Sequence, residues 1–123
     1  MKAALTIWDG RISPVFDVSR EALVLTIEGG VVLERRRELI VAPSATGRVQ
    51  HLSELGVQLL VCGAISEPIQ QELVDRGIRV IGFTAGTVDE VLVSLLAGRL
   101  PSPSLAMPGC SAGDSVPLSP AKV

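Results

Sequence analysis

What most constrains the fold of this chain is a change of rhythm between Ile40 and Val49. Before it, apolar residues come in compact runs or alternate singly. After it, they recur at helical spacing between short apolar runs. Residues 3–8 form a run fit for a buried strand. In residues 21–28, Leu23, Leu25 and Ile27 alternate with Val24, Thr26 and Glu28, and Gly29-Gly30 supplies the positive φ angles of a tight hairpin turn. A third strand, about Val31 to Ile40, carries Glu34, Arg35, Arg36, Arg37 and Glu38. Charge of that density belongs on a sheet edge, where it discourages edge-to-edge pairing.

Beyond that point, Val49, Leu52 and Leu55 make an apolar stripe that Gly56 can stop. Val57 to Cys62 reads as a central strand. Ser66 can cap a helix that tolerates Pro68 in its first turn and turns Ile69 and Leu73 inward, with Gly77 closing it. Ile78 to Ile81 is a fifth strand. Thr87 and Glu90 have the spacing of a capping box. Val88, Val91, Leu92, Leu95 and Leu96 form the clearest amphipathic stripe in the chain, and Gly98 ends it. The order β-β-β-α-β-α-β-α predicts a three-layer α/β fold with a five-stranded mixed sheet, an antiparallel meander continued by parallel strands through right-handed crossovers. Ligands of such sheets sit beyond the carboxyl ends of the parallel strands. Three loops should therefore share one rim: Asp9–Asp17, Gly63–Ser66 and Gly82–Thr87, with Cys62 at its edge.

The chain has 123 residues, of which 47% are hydrophobic, enough for one domain with a real core. Residues 1–100 are expected to form that domain. Residues 101–123 hold Pro101, Pro103, Pro108, Pro117 and Pro120 among serines, glycines and alanines, and read as a mobile tail. Its segment 105–110 is the part that could dock on the domain. The net charge of −2 exerts no long-range pull on nucleic acid or an anionic membrane. No apolar run reaches the roughly 18–20 residues of a membrane span, and Ala3–Trp8 is too short for a signal peptide. A cytoplasmic location is the default expectation, with neither nucleic acid nor membrane as partner.

Cys62 ends an apolar strand and is followed by Gly63-Ala64, which leave space beside the sulfur. It can be read as a small buried hydrophobe. The other reading comes from Cys110, a cysteine in a tail with no packing reason to hold one. If 105–110 folds back on the rim, the two thiolates become soft metal ligands, although a closed zinc site wants four protein ligands and no CxxC spacing exists. His51 sits off its helix's apolar stripe and reads as a surface residue. Asp9 beside Gly10 reads as turn chemistry. Asp17 stands evenly between turn chemistry and cation binding. Arg36 points away from Arg35 and Arg37, which leaves no coherent basic patch.

Four segments together resemble the dinitrogenase iron–molybdenum cofactor biosynthesis family, the NifX-like domain also found at the end of NifB-type proteins. They are Gly10-Arg11-Ile12-Ser13-Pro14-Val15-Phe16-Asp17; Leu55-Gly56-Val57 leading to Val61-Cys62-Gly63-Ala64-Ile65; Gly77-Ile78-Arg79-Val80; and Gly86-Thr87-Val88-Asp89-Glu90 through Leu96-Ala97-Gly98-Arg99-Leu100. The resemblance covers about residues 1–100. It implies a ribonuclease H-like fold and a carrier of iron–sulfur clusters or cofactor precursors with no reaction of its own. Cluster-binding members place a histidine before the loop phenylalanine and a glycine after it. Here Val15 and Asp17 stand there, so the chain resembles a subgroup that lacks the usual loop ligand.

The expected function is accordingly a cytoplasmic carrier for an iron–sulfur or iron–molybdenum type cluster or its precursor, with assembly or delivery proteins as partners. Cys62 and Cys110 are the candidate metal ligands. Ser13, Phe16, Asp17, Cys62 and Gly63 are the candidate cofactor-binding residues. The alternative is a family member that acts as a protein-interaction or regulatory module without a cluster. A nuclease is disfavoured, because two-metal hydrolysis needs several carboxylates and the fourth strand ends in Cys62 where a second acid would help.

Overall fold

The computed structural model describes residues 1–109 and 113–115, the side chains of 113 and 114 excepted. Its elements follow the rhythm of the sequence. Strands β1 (Lys2–Trp8), β2 (Arg11–Ile12), β3 (Glu21–Glu28) and β4 (Val31–Leu39) come first. Then helices and strands alternate: α1 (Ala45–Glu54), β5 (Leu59–Val61), α2 (Glu67–Asp75), β6 (Arg79–Gly82), α3 (Val88–Leu96) and finally β7 (Gly113–Ser115). The strands form one mixed sheet in the order β4-β3-β1-β5-β6-β7, with β2 paired to β1. β3 pairs antiparallel with β1 on one side and with β4 on the other, whereas β5 lies parallel to β1 and β6 parallel to β5.

The meander and its parallel continuation are therefore as expected, but the count of five strands is too low: among the described residues the sheet has seven. Both additional strands are short and have no apolar pattern of their own. β2 pairs only Ile12 with Ile7 and Arg11 with Trp8. β7 pairs antiparallel with β6 through Ser115, Asp114 and Gly113. They are too short to show a period: β2 buries the single side chain of Ile12, and both strands are defined by the backbone bonds that their neighbours offer.

Alternation along each strand sorts the core into two clusters. Ala4, Leu60, Cys62 and Val80 pack with Val49 and Leu52 of α1 and Leu73 of α2. Ala3, Leu5, Val61 and Ile81 pack on the other face with Val91 of α3. This gives the three layers: α1 and α2, the sheet, and α3. β4 is the outer strand, and its charges are largely paired locally. Arg36 Nη2 reaches Glu38 at 2.8 Å, and Arg37 Nε reaches Glu21 at 3.2 Å.

Gly29 and Gly30 take φ angles of 59° and 75°, as the β3–β4 hairpin needs. α1 is capped by Ser44, whose hydroxyl accepts from the Gly47 N–H. Ser66 stands at the N-cap of α2, yet its hydroxyl makes no cap bond there. α3 carries the full capping box: the Glu90 N–H donates to Thr87 Oγ1 at 3.2 Å, and the Thr87 N–H donates to Glu90 Oε1 at 3.1 Å. The Thr87 hydroxyl also lies 2.9 Å from Glu90 Oε1.

The cap has a measurable worth. Thr87→Ala should lower stability to urea by about 1 kcal/mol at neutral pH. The Thr87 backbone and hydroxyl hydrogen bonds, with a smaller contribution from the Arg11 charge, hold the Glu90 carboxyl below its usual 4.5. A depressed carboxyl stabilises above its unfolded value and loses that contribution as pH falls through the folded value. The gap between wild type and Thr87→Ala should therefore narrow below about pH 4.5 in acid titrations followed by circular dichroism.

Candidate functional site

Three connecting loops are laced together over the carboxyl ends of β1, β5 and β6. The Ser13 N–H donates to Thr6 O at 2.8 Å and turns the first loop back over its own strand. The Ala64 N–H then donates to Pro14 O at 2.8 Å, and the Phe16 N–H donates to Ala64 O at 2.9 Å. These two bonds make Val15 and Ala64 partners in a parallel bridge. The third loop joins through the Phe83 N–H, which donates to Gly63 O at 2.8 Å, and the Ile12 N–H, which donates to Gly86 O at 3.0 Å.

Gly63 is the residue the lacing requires. A Cβ at that position would lie 2.4 Å from Ser13 O and 2.5 Å from Pro14 O, closer than real Cβ atoms approach backbone oxygen. The two chains can touch because nothing stands between them. Phe16 then drops its ring fully into the core, beside Cys62. Phe83, a bulky residue, is held at a left-handed φ of 55°. Its N–H is bound to Gly63 and its carbonyl accepts from Met107 at 2.9 Å, so the surroundings impose the strained backbone.

Of the segment 101–123, residues 105–107 run along the rim. The Ala85 N–H donates to Leu105 O at 2.6 Å, Thr84 and Ala106 form an antiparallel bridge, and Leu105 is buried with the α3-side core. This stretch is packed rather than free, because Leu105 has an apolar slot and the backbone of 83–85 exchanges bonds with it.

The expected site residues separate. Ser13, Phe16, Asp17, Cys62 and Gly63 all belong to the laced region. Cys110, the second thiol of the expected pair, lies outside the described residues. Cys62 has no exposed surface. Burial, with the Asp17 carboxylate adding to it, pushes its thiol from the ordinary 9.0 up to about 12. In this closed state the sulfur is a protonated core group and not a ready thiolate. Asp17 is half-buried, and its Oδ1 is fully enclosed without a hydrogen-bond partner among the described residues. Among those residues, no three of His, Cys, Asp and Glu come together as a metal cage. His51 lies on α1, away from the rim loops, and Asp9 takes a turn conformation at φ 53°.

Two features of the site were not apparent in the sequence. Arg48 of α1 is buried under the first loop, where its Nε donates to Ser19 O at 2.7 Å and its Nη1 to Ala42 O at 2.9 Å. The Ser19 hydroxyl lies 2.8 Å from Val15 O and 2.9 Å from Ser13 Oγ, tying both ends of the loop to this cation. An arginine at an unremarkable helical position carries no signal of this; three carbonyls decide it, Ser19 O from the first loop and Ala42 O and Ser44 O from the connection before α1. The second is a groove of about 320 Å³ on the outer side of the same loop, lined by Trp8, Pro14, Val15, Val18 and Arg20 above the two serines.

A loop-built rim beyond the ends of parallel strands is where an open α/β sheet receives ligands, and that is the class of domain this fold and site define. The chain belongs to the dinitrogenase iron-molybdenum cofactor family, whose sequence profile matches residues 1–98. The family ties the chain to the iron–molybdenum cofactor of dinitrogenase. Solved structures share the fold at low identity. The protein PH0822 superposes with a TM-score of 0.76 at 19% identity, covering 80% of this chain and 91% of its own. The apo form of the orange protein from Desulfovibrio gigas gives 0.68 at 21%, covering 85% and 94%. A dinitrogenase candidate from Methanocaldococcus jannaschii gives 0.65 at 20%, covering 80% and 90%. No curated protein matches the chain in sequence. No helix among the described residues is long and apolar enough to cross a membrane.

Two outcomes follow from this geometry. Cys62 should resist thiol reagents at pH 8 in the native protein and react on unfolding in urea. A thiol whose folded value is raised stabilises fully below its unfolded value of about 9 and loses that contribution as pH rises towards 12. Cys62→Ala should therefore flatten the alkaline limb of the stability profile. Gly63→Ala should destabilise by about 1–3 kcal/mol, the range for forced overpacking, and should change Trp8 emission because the first loop must shift.

Proposed function

We propose that this chain is a small, non-catalytic cytoplasmic carrier, on a ribonuclease H-like scaffold, for an iron–sulfur or iron–molybdenum type cluster or its precursor. Its cargo site is the base of the rim, where Ser13, Phe16 and Gly63 frame the Cys62 sulfur and the Asp17 carboxylate. The observation that carries this reading is the orphaned Asp17 Oδ1 together with the Asp17 charge acting on the Cys62 thiol. A carboxylate oxygen without a donor and a sulfur kept protonated partly by that carboxylate have one common remedy. A metal cation would satisfy the oxygen, and it would reverse the local electrostatics so that thiolate becomes the favoured form. Oxygen and sulfur donors suit a cargo that brings its own sulfides and is later handed on.

Cys62 shares its core cluster with Phe16, so loading requires the loop Ser13–Asp17 to lift. Two backbone bonds to Ala64 and the serine–Arg48 latch resist that movement. Val15, which occupies the position of the histidine in cluster-binding members, supplies no donor. Cys110 is the further thiol that the sequence offers.

Anaerobic reconstitution with ferrous iron and sulfide tests the reading. The wild type should gain visible absorption with matching iron and sulfide. Cys62→Ser should lose most of it, and Asp17→Asn should reduce it. A wild-type protein that stays colourless, or a Cys62→Ser variant that loads normally, overturns the carrier. The second reading, an interaction or regulatory module without cargo, is favoured by one observation: Val15 faces solvent in an apolar group with Trp8 and Val18.

A further inference from the structure

The outer side of the first loop has a chemistry unlike its inner side. Trp8 is 62% exposed, Val18 68% and Val15 41%, and Pro14 is exposed beside them. These side chains converge on the groove of about 320 Å³. In a chain with one tryptophan and no tyrosine, the largest apolar side chain stands in solvent at this place. Arg20 lines the same groove, is exposed, and has no ion pair among the described residues. On the neighbouring edge strand, Arg36 and Arg37 are matched by Glu38 and Glu21, whereas Arg35 on the same strand has no ion pair among the described residues and lines a different groove, with Ile7, Gly10 and Val88.

The groove is also held ready. Ser13 and Ser19 form its floor, both are buried, and the Arg48 guanidinium fixes Ser19 from below. A surface that does not need to be ordered on binding loses less entropy when a partner arrives. Tryptophan and arginine are the residues in which binding energy concentrates at protein interfaces.

We propose that this groove docks an acidic–apolar segment of a partner protein. A bulky aliphatic or aromatic side chain enters between Trp8, Val15 and Val18, and a neighbouring carboxylate pairs with Arg20. The apolar lining selects the first feature, and the uncompensated positive charge selects the second. The inference goes beyond the carrier reading and holds with or without cargo, since the groove lies on the outer face of the loop and the orphaned Asp17 oxygen is enclosed within it.

Trp8 is the only tryptophan, so its emission reports on the groove directly. The full chain is titrated with a short peptide of alternating leucine and glutamate, and with its leucine–lysine counterpart. The glutamate peptide should shift Trp8 emission to the blue and bind about tenfold more tightly than the lysine peptide. Arg20→Glu should reverse that order, and Val18→Asp should abolish the shift. Both positions are exposed, and circular dichroism would verify that each variant is folded. Equal response to both peptides, no response to either, or an order unchanged by Arg20→Glu overturns the proposal. So does a shift produced instead by vesicles of phosphatidylcholine and phosphatidylglycerol, or by raising protein concentration alone, which would assign the groove to a lipid surface or to a second copy. Cluster reconstitution of Arg20→Glu keeps the two questions apart: full loading with reversed peptide preference supports docking independently of cargo.

Discussion

The close backbone approach between Pro14 and Gly63 is the contact on which the rest of the rim depends. It is possible only because position 63 has no side chain. Once Ala64 is bonded to Pro14 O and to the Phe16 N–H, the first loop can leave the plane of the sheet in one direction only. Phe16 is driven into the core, Val15 is turned outward, and Asp17 is brought towards Cys62. The Arg48 cation fastens the far end of the same loop through Ser19. Deleting any one of these contacts would leave a connection between strands where there is now a shaped surface.

The scaffold was largely legible because its elements are amphipathic and punctuated. Leu23, Leu25 and Ile27 had to share a sheet face, and Val88, Val91, Leu92 and Leu95 had to share a helix face. The Thr87–Glu90 pair marked its helix start through a bond pattern that needs no tertiary help. β2 and β7 escaped because they are ladder-made; a two-residue strand such as Arg11–Ile12 has no period to detect. The Ser66 hydroxyl escaped for a related reason. A capping residue type states what a helix start can use, but the start of α2 already has Pro68, and the local chain leaves the hydroxyl unengaged.

The site was legible by address more than by chemistry. Position in a strand–loop–helix pattern placed Asp9–Asp17, Gly63–Ser66 and Gly82–Thr87 at one rim, and the lacing bonds join all three. What the sequence could not convey was the state of each group. Cys62 at a strand end with small neighbours fits both a core thiol and a ligand. Only its complete burial, in the core cluster that also holds Phe16, and the nearby carboxylate of Asp17 decide that the sulfur is kept as a protonated thiol. Arg48 likewise becomes structural only when three carbonyls gather around it.

Inner and outer faces of the first loop are inseparable. Between Pro14 and Val18 the short turn Phe16–Val18 sends neighbouring residues to opposite sides: Phe16 and Asp17 face the Cys62 side, while Pro14, Val15 and Val18 line the external groove. A partner that grips the outer residues grips the backbone that holds the inner pair. Its binding energy is then available to work against two backbone bonds and one serine latch, each worth about 0.5–1.5 kcal/mol net, which is within the range a modest hot spot supplies. A closed, protonated Cys62 is inert towards oxidants and stray metal ions. On the carrier reading proposed above, a loop that opens only when held from outside would keep it so until the cargo and its handler are both present.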